Sequence, residues 1–240
     1  MNRGKPLKRS VCIILLLLLI TGCQSKDDAG YILEDSEIFP TIVTTNPSDL
    51  EASRLLSLSD DQISEAIEKG ASLTKDTFSD YREGNLLPIL HNDISGSFAE
   101  KLQPEVVFKS NYYQIVESSF VKSQKYDNLT VEEAGLDGNK NYLIFVLTAY
   151  GNKITMSKNF SAVIKQGDAI FKPYKDELIG SDRMASQSSY WPNFPAYYSV
   201  LSAMFADFEA LDLTKKAEFI FLYDGKERSV TYDIDFSKYK

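Results

Sequence analysis

Thiols and imidazoles are almost missing from this 240-residue chain, which carries two cysteines and one histidine. A structural zinc cage built from Cys and His takes four of them, and His91 with two cysteines makes three, so a His/Cys cage cannot be assembled. Net positive charge is missing too: 34 acidic against 26 basic residues give −8. Without a basic stripe interleaved with aromatics, the electrostatic term that drives nucleic-acid binding is absent, and no nucleic-acid partner is expected. Nucleophile motifs are equally scarce. There is no G-x-S-x-G elbow, and the S-x-x-K matches Ser72 with Lys75 and Ser119 with Lys122 lack the S-D-N and K-T-G companions that such chemistry requires. No cofactor motif is present, and none is expected to bind.

What the chain does have is concentrated at its start. Arg3, Lys5, Lys8 and Arg9 precede an unbroken apolar run over residues 11–20, then the small residues Thr21 and Gly22 and then Cys23. A basic segment, a short apolar core and small residues at the end make a secretory signal; ten apolar residues are too few to span a bilayer. The four residues Ile20-Thr21-Gly22-Cys23 resemble the lipobox of bacterial lipoproteins. That resemblance implies cleavage before Cys23, thioether attachment of a diacylglyceryl group to its sulfur, and an extracytoplasmic, membrane-anchored location. Two acyl chains hold durably where one binds only marginally.

Cleavage there removes Cys12 and occupies Cys23, leaving no thiol for a disulfide. The 217 residues that follow must then be stabilised by their apolar core, and they suffice for one large or two small domains. Four cations and no anion leave with residues 1–22, so the formal charge moves from −8 to −12. Such a surface favours solubility.

Residues 23–50 read as anchor and tether: polar and turn-prone, with too little apolar surface to fold alone. Residues 51–126 read as a helical segment. Ser59 followed by Gln62 is a capping box, flanked by Leu58 and Ile63 as a staple, with Asp60 and Asp61 in the first turn. Ile63, Ala66 and Ile67 share a face, and Gly70 either ends or weakens this helix. A second helix is expected over 71–81. Val106-Val107-Phe108 looks like strand, whereas Tyr113, Val116 and Phe120 sit at helical spacing, so 111–126 is open between helix and strand, with helix favoured.

From Tyr142 onward the pattern is β. Apolar strands are expected near 143–150, 160–164, 169–171, 197–205, 217–223 and 228–236, the last two joined at Asp224-Gly225. Val230, Tyr232, Ile234 and Phe236 alternate with polar residues, giving one buried and one wet face. Residues 137–141 have oxygen ligands at alternate positions, but Tyr142 and Thr148 stand where a calcium loop needs Gly and Glu; a turn is expected instead. Carboxylate pairs such as Glu132/Glu133 and Asp233/Asp235 could serve acid–base chemistry, but the second alternates on the wet face of a hairpin strand, the ordinary place for solubilising acids.

One cluster has a binding character. Tyr190, Trp191, Phe194, Tyr197 and Tyr198 fall within nine positions, interrupted by Pro192 and Pro195. Such rings either fill a disulfide-free core or stand out as rigid amphipathic anchors for a protein or glycan.

The stretch Lys165-Gln166-Gly167-Asp168-Ala169-Ile170-Phe171-Lys172-Pro173, the ending Asp235-Phe236-Ser237-Lys238-Tyr239-Lys240 and the helix start at 58–67 resemble immunoglobulin-like domains of Gram-positive lipoproteins. The resemblance implies an α+β chain: helices at 51–126, then an antiparallel, immunoglobulin-like β-sandwich over 127–240, without the disulfide and tryptophan of antibody domains. It carries no activity with it. The expected role is non-enzymatic binding or scaffolding at the cell envelope, through an envelope protein or glycan; the alternative is a hydrolase acting on envelope polymers. Cys23→Ala should abolish lipidation. Mass spectrometry of the mature N-terminus should find a diacylglyceryl-modified cysteine in the parent protein, and an unmodified Cys23 would refute the assignment.

Overall fold

The computed structural model describes residues 55–94, 103–138, 141–208, 210–223 and 228–239. The signal segment, Cys23, the tether and the turn residues Asp224 and Gly225 lie outside them. Helix α1 (Asp60–Ser72) begins at the capping box: Ser59 Oγ accepts from the Gln62 N–H at 3.3 Å, and Gln62 Oε1 accepts from the Ser59 N–H at 2.9 Å. Leu58 and Ile63 are both buried in one helical core with Ala66, Tyr112, Ile115 and Val116. The second helix, α2 (Lys75–Glu83), starts later than residue 71. Its N-cap Thr74 trades hydrogen bonds with Thr77, which breaks the backbone away from α1 after Ser72.

The ambiguous stretch is a helix. Helix α3 (Asn111–Ser123) is capped by Ser110 Oγ, which accepts from the Tyr113 N–H at 3.2 Å. Its buried positions include Tyr112, Tyr113, Ile115, Val116, Ser119 and Phe120, more than one face, because α1 covers one side while Phe78 and Tyr81 of α2 stack on Phe120 and Tyr113 at 4.3 and 5.2 Å. The α1–α3 contact turns on Gly70, which stays inside α1. A Cβ at that position would sit 2.3 Å from the Val116 carbonyl oxygen and 2.7 Å from Ser119 Cβ. The same closeness lets Ser119 Oγ donate to the Ile67 carbonyl at 2.7 Å. A fourth helix, α4 (Val131–Gly138), was not foreseen. Thr130 and Glu133 form its reciprocal cap, and Glu133 ties it to α3 through Lys122 at 2.8 Å. The Lys122 ammonium, then the Thr130 N–H, hold the Glu133 carboxyl down at about 2.

Among the described residues, nine strands make two antiparallel sheets. Strands β1 (Ile89–Asn92), β4 (Ser161–Gln166), β5 (Ala169–Phe171), β8 (Ala217–Leu222) and β9 (Ser229–Ile234) are ordered β1-β9-β8-β4-β5. Strands β2 (Glu105–Lys109), β3 (Leu143–Gly151), β6 (Ser186–Gln187) and β7 (Tyr197–Phe205) are ordered β2-β3-β7-β6. Two of these strands, β1 and β2, lie inside the stretch read as helical, and α3 with α4 fills the connection between the hydrogen-bonded neighbours β2 and β3. The β8–β9 pair runs out to Leu222 opposite Ser229, with a further bond from the Tyr223 N–H to Arg228 at 2.9 Å, so the connection occupies positions 224–227.

Alternation decides what each sheet buries. Leu143, Phe145, Leu147 and Ala149 on β3 face Phe219 and Phe221 on β8 and Tyr232 and Ile234 on β9, all in one cluster. The Phe145 and Phe219 rings stack at 4.9 Å, and Phe108 meets Phe145 at 5.0 Å and Phe236 at 5.8 Å. Each such ring pair adds about 0.5–1.5 kcal/mol beyond its buried area, which is how a core without disulfides is held. The chain is thus α+β, with two antiparallel sheets sharing one interior.

Ser59→Ala should cost about 0.5–2 kcal/mol by orphaning the N–H of Gln62. Gly70→Ala should cost about 1–3 kcal/mol, despite alanine's better helix propensity, because the new methyl meets backbone that cannot yield. Urea midpoints of both variants check this; a stabilised Gly70→Ala would mean that α1 and α3 stand further apart.

Candidate functional site

The strand ends converge. Tyr150 and Gly151 at the end of β3 pair with Tyr198 and Tyr197 at the start of β7. In the other sheet Ser161, which opens β4, pairs with Leu222 at the end of β8, and Leu222 with Ser229 at the start of β9. A cavity of about 270 Å³ opens at this end. Its apolar walls are Tyr150, Met156, Phe160, Phe194 and Tyr223; Asn152, Asn159, Lys153 and Arg228 supply the polar groups.

The aromatic cluster read from the sequence lies beside this opening and outside the core. Tyr190 and Trp191 are 48% and 50% exposed, while Phe194, Tyr197 and Tyr198 are half-buried. Only Phe194 lines the cavity. The loop that presents them is bonded to itself. The Ser188 N–H donates to the Ala196 carbonyl at 2.9 Å, Ser188 Oγ donates to the Pro195 carbonyl and accepts from the Tyr190 N–H at 3.1 Å, and the Asn193 N–H donates to the Tyr190 carbonyl at 2.7 Å. Peptide bonds Trp191-Pro192 and Phe194-Pro195 are cis. Rings on a loop so braced lose little conformational entropy when they contact a partner.

Electrostatics at this end are those of a half-dry aromatic pocket. Burial pushes the Tyr223 hydroxyl far up, opposed by a backbone hydrogen bond at Tyr150 and by the charge of Arg228. The Tyr150 hydroxyl is also raised, first by burial and then by Glu105, with Arg82 lowering it and Tyr190 and Tyr198 adding to the rise. Both phenols are therefore neutral donors at physiological pH.

Groups that might have done chemistry are engaged elsewhere. Ser229, Asp93 and His91 are linked, but the carboxylate sits between the other two: Ser229 Oγ donates to Asp93 Oδ2 at 2.9 Å and His91 Nε2 meets Asp93 Oδ1 at 2.6 Å. A serine nucleophile needs the imidazole next to it, so this order activates nothing. The S-x-x-K serines Ser72 and Ser119 donate to backbone carbonyls, those of Lys69 and Ile67 respectively. Lys122 is held by Glu133, Asp233 pairs with Lys216 at 3.0 Å, and Asp235 caps the turn at Ser237. Among the described residues no group of three or more His, Cys, Asp or Glu side chains converges.

Comparisons with protein-family models, with curated proteins and with solved structures find no match to this chain. The site therefore stands on its geometry. Sequence reasoning named Phe194 and missed Tyr150, Phe160, Tyr223 and Arg228. Their common signal was available: each stands where a strand closes or opens beside a turn, and the two antiparallel sheets bring such ends together.

Trp191 is the sole tryptophan, so its emission reports on this loop alone. We expect red-shifted emission quenched by iodide, and Trp191→Ala should leave the Tm within about 2 °C. A core truncation such as Phe219→Ala should instead cost about 3–5 kcal/mol. Blue, protected emission would place the indole in the interior.

Proposed function

We propose that this protein is a lipid-anchored extracytoplasmic binding protein of immunoglobulin-like architecture, held at the membrane by Cys23 and engaging a cell-envelope partner through its aromatic end. What supports the architecture is strand order. The sheet β2-β3-β7-β6 corresponds to the A-B-E-D sheet of immunoglobulin domains, and β9-β8-β4-β5 to G-F-C-C′, with β1 added beside G. In that correspondence the aromatic loop is the D–E connection, and the cavity lies among the B–C, D–E and F–G ends. Loops at such an end carry recognition in many domains of this architecture, because the sheets hold them while their sequences vary.

The observation that carries the binding role is the half-exposure of Tyr190 and Trp191 on a self-bonded loop at the mouth of a cavity. Large rings left half in water on a rigid support return less to folding than core rings do, whereas at an interface they are the residues that dominate affinity. The anchor follows from the order of basic, apolar and small residues before Cys23. An acidic body on a lipid tether is repelled by anionic headgroups, which leaves its far surface free for a partner.

The test uses the full lipidated protein in its native envelope. Chemical cross-linking followed by mass spectrometry should yield a reproducible envelope adduct near residues 190–198. The double variant Tyr190→Ala/Trp191→Ala should lose at least about tenfold of that adduct at unchanged Tm and unchanged membrane fraction. An adduct that persists at full yield refutes binding through this end.

A further inference from the structure

Resting on that reading, we propose that the cavity at the aromatic end is a subsite for one acidic sugar ring of a carboxylate-bearing glycan. The walls suit a pyranose. Tyr150, Phe160, Phe194 and Tyr223 line it with aromatic carbon, on which the C–H faces of a sugar ring pack as other apolar groups do. Phe160 meets Tyr223 edge-on at 5.0 Å, so two of these rings brace one another before any ligand arrives. In the same lining, the Asn152 and Asn159 amides each offer both donors and an acceptor, which is what vicinal hydroxyls require.

Charge selects the acidic member of this class. The chain carries 34 acidic and 26 basic residues, yet the cavity lining holds Lys153 and Arg228 and no carboxylate among the described residues. The charge of Arg228 already reaches inward, since it stabilises the ionised form of Tyr223 against burial. A guanidinium at the mouth of a partly dry pocket is suited to a planar carboxylate, which it binds in two parallel hydrogen bonds. Size sets the length. Drug-sized ligands fill clefts of about 300–1,000 Å³, and 270 Å³ lies just under that range, enough for one ring of a longer chain. The neighbouring units would leave the cavity past Phe194, whose loop also carries the exposed Tyr190 and Trp191.

The experiment titrates the purified lipidated protein, in uncharged detergent micelles, with a short linear oligouronide, with its carboxyl-reduced neutral counterpart, and with polyglutamate of matched charge. Trp191 emission and calorimetry give the two readouts. The oligouronide should bind at least about tenfold tighter than the neutral sugar, with an affinity that falls as salt rises. Arg228→Gln should remove most of that tenfold preference, weakening the oligouronide far more than the neutral sugar; Phe194→Ala should weaken both sugars. Lys125→Gln, a charge control at the far end of α3, should alter neither, and unchanged Tm in each variant keeps folding out of the comparison. Equal binding of acidic and neutral sugars overturns the acid preference and leaves the binding role intact. Polyglutamate binding as tightly as the oligouronide overturns the sugar specificity. No sugar binding, with the envelope adduct at residues 190–198 still present, overturns this inference alone; loss of the adduct as well overturns the proposed function with it.

Discussion

The contact on which the rest depends is the aromatic stack between the two sheets, Phe145 against Phe219, with Phe108, Phe205, Phe236 and Tyr232 arrayed around it. No cross-link fastens one sheet to the other, so the distance between them is set by how these rings pack. Close-packed interiors transmit strain, and the strand ends that frame the cavity inherit their positions from this stack. Phe160, Phe221 and Tyr223 continue it towards that end, each pair about 5 Å apart. The cavity is therefore the place where the aromatic layer reaches water.

The helices attach through a different physics. α1 and α3 meet where a glycine allows backbone to touch side chain, and a serine hydroxyl bridges the gap. Such a contact is short-range and shape-dependent. Around it the polar links are local: Tyr112 to Glu65 at 3.0 Å, Arg82 to Glu105 at 2.9 Å, Lys109 to Glu117. Partly exposed pairs like these contribute a few tenths of a kcal/mol each and mostly fix orientation. The helical layer is thus placed by packing at Gly70 and oriented by charge.

Several of these features were legible in the residues. The Ser59–Gln62 box declared α1, and the alternation from Val230 to Phe236 declared the inner face of β9, because local hydrogen bonding and strand period act within a few positions. α4 was missed although Thr130 and Glu133 form the same kind of signature, since Gly135 and Gly138 weaken the periodic pattern behind it. β1 was missed for a different reason. Ile89-Leu90-His91-Asn92 has no alternation of its own and becomes a strand only by pairing with β9, some 140 positions later. The site followed the same division: Trp191 and its neighbours form a cluster in sequence, whereas Tyr150, Tyr223 and Arg228 join it only through the topology.

That distant pairing has a consequence for how the chain must travel. β1 is joined to the last strand by Ile89 opposite Tyr232 and Asn92 opposite Val230, and it is sewn further by Asp93 to Ser229 and Asp233 to Pro88. Tyr232 also reaches the Pro104 carbonyl at 2.7 Å, just before β2. An early strand that waits for a late one gives a high contact order, so closure of the sheet is slow and awaits the final residues. For a chain that emerges N-terminus first, the delay leaves the β1 edge unpaired until the last strand exists. The fold cannot lock while that strand is still to come.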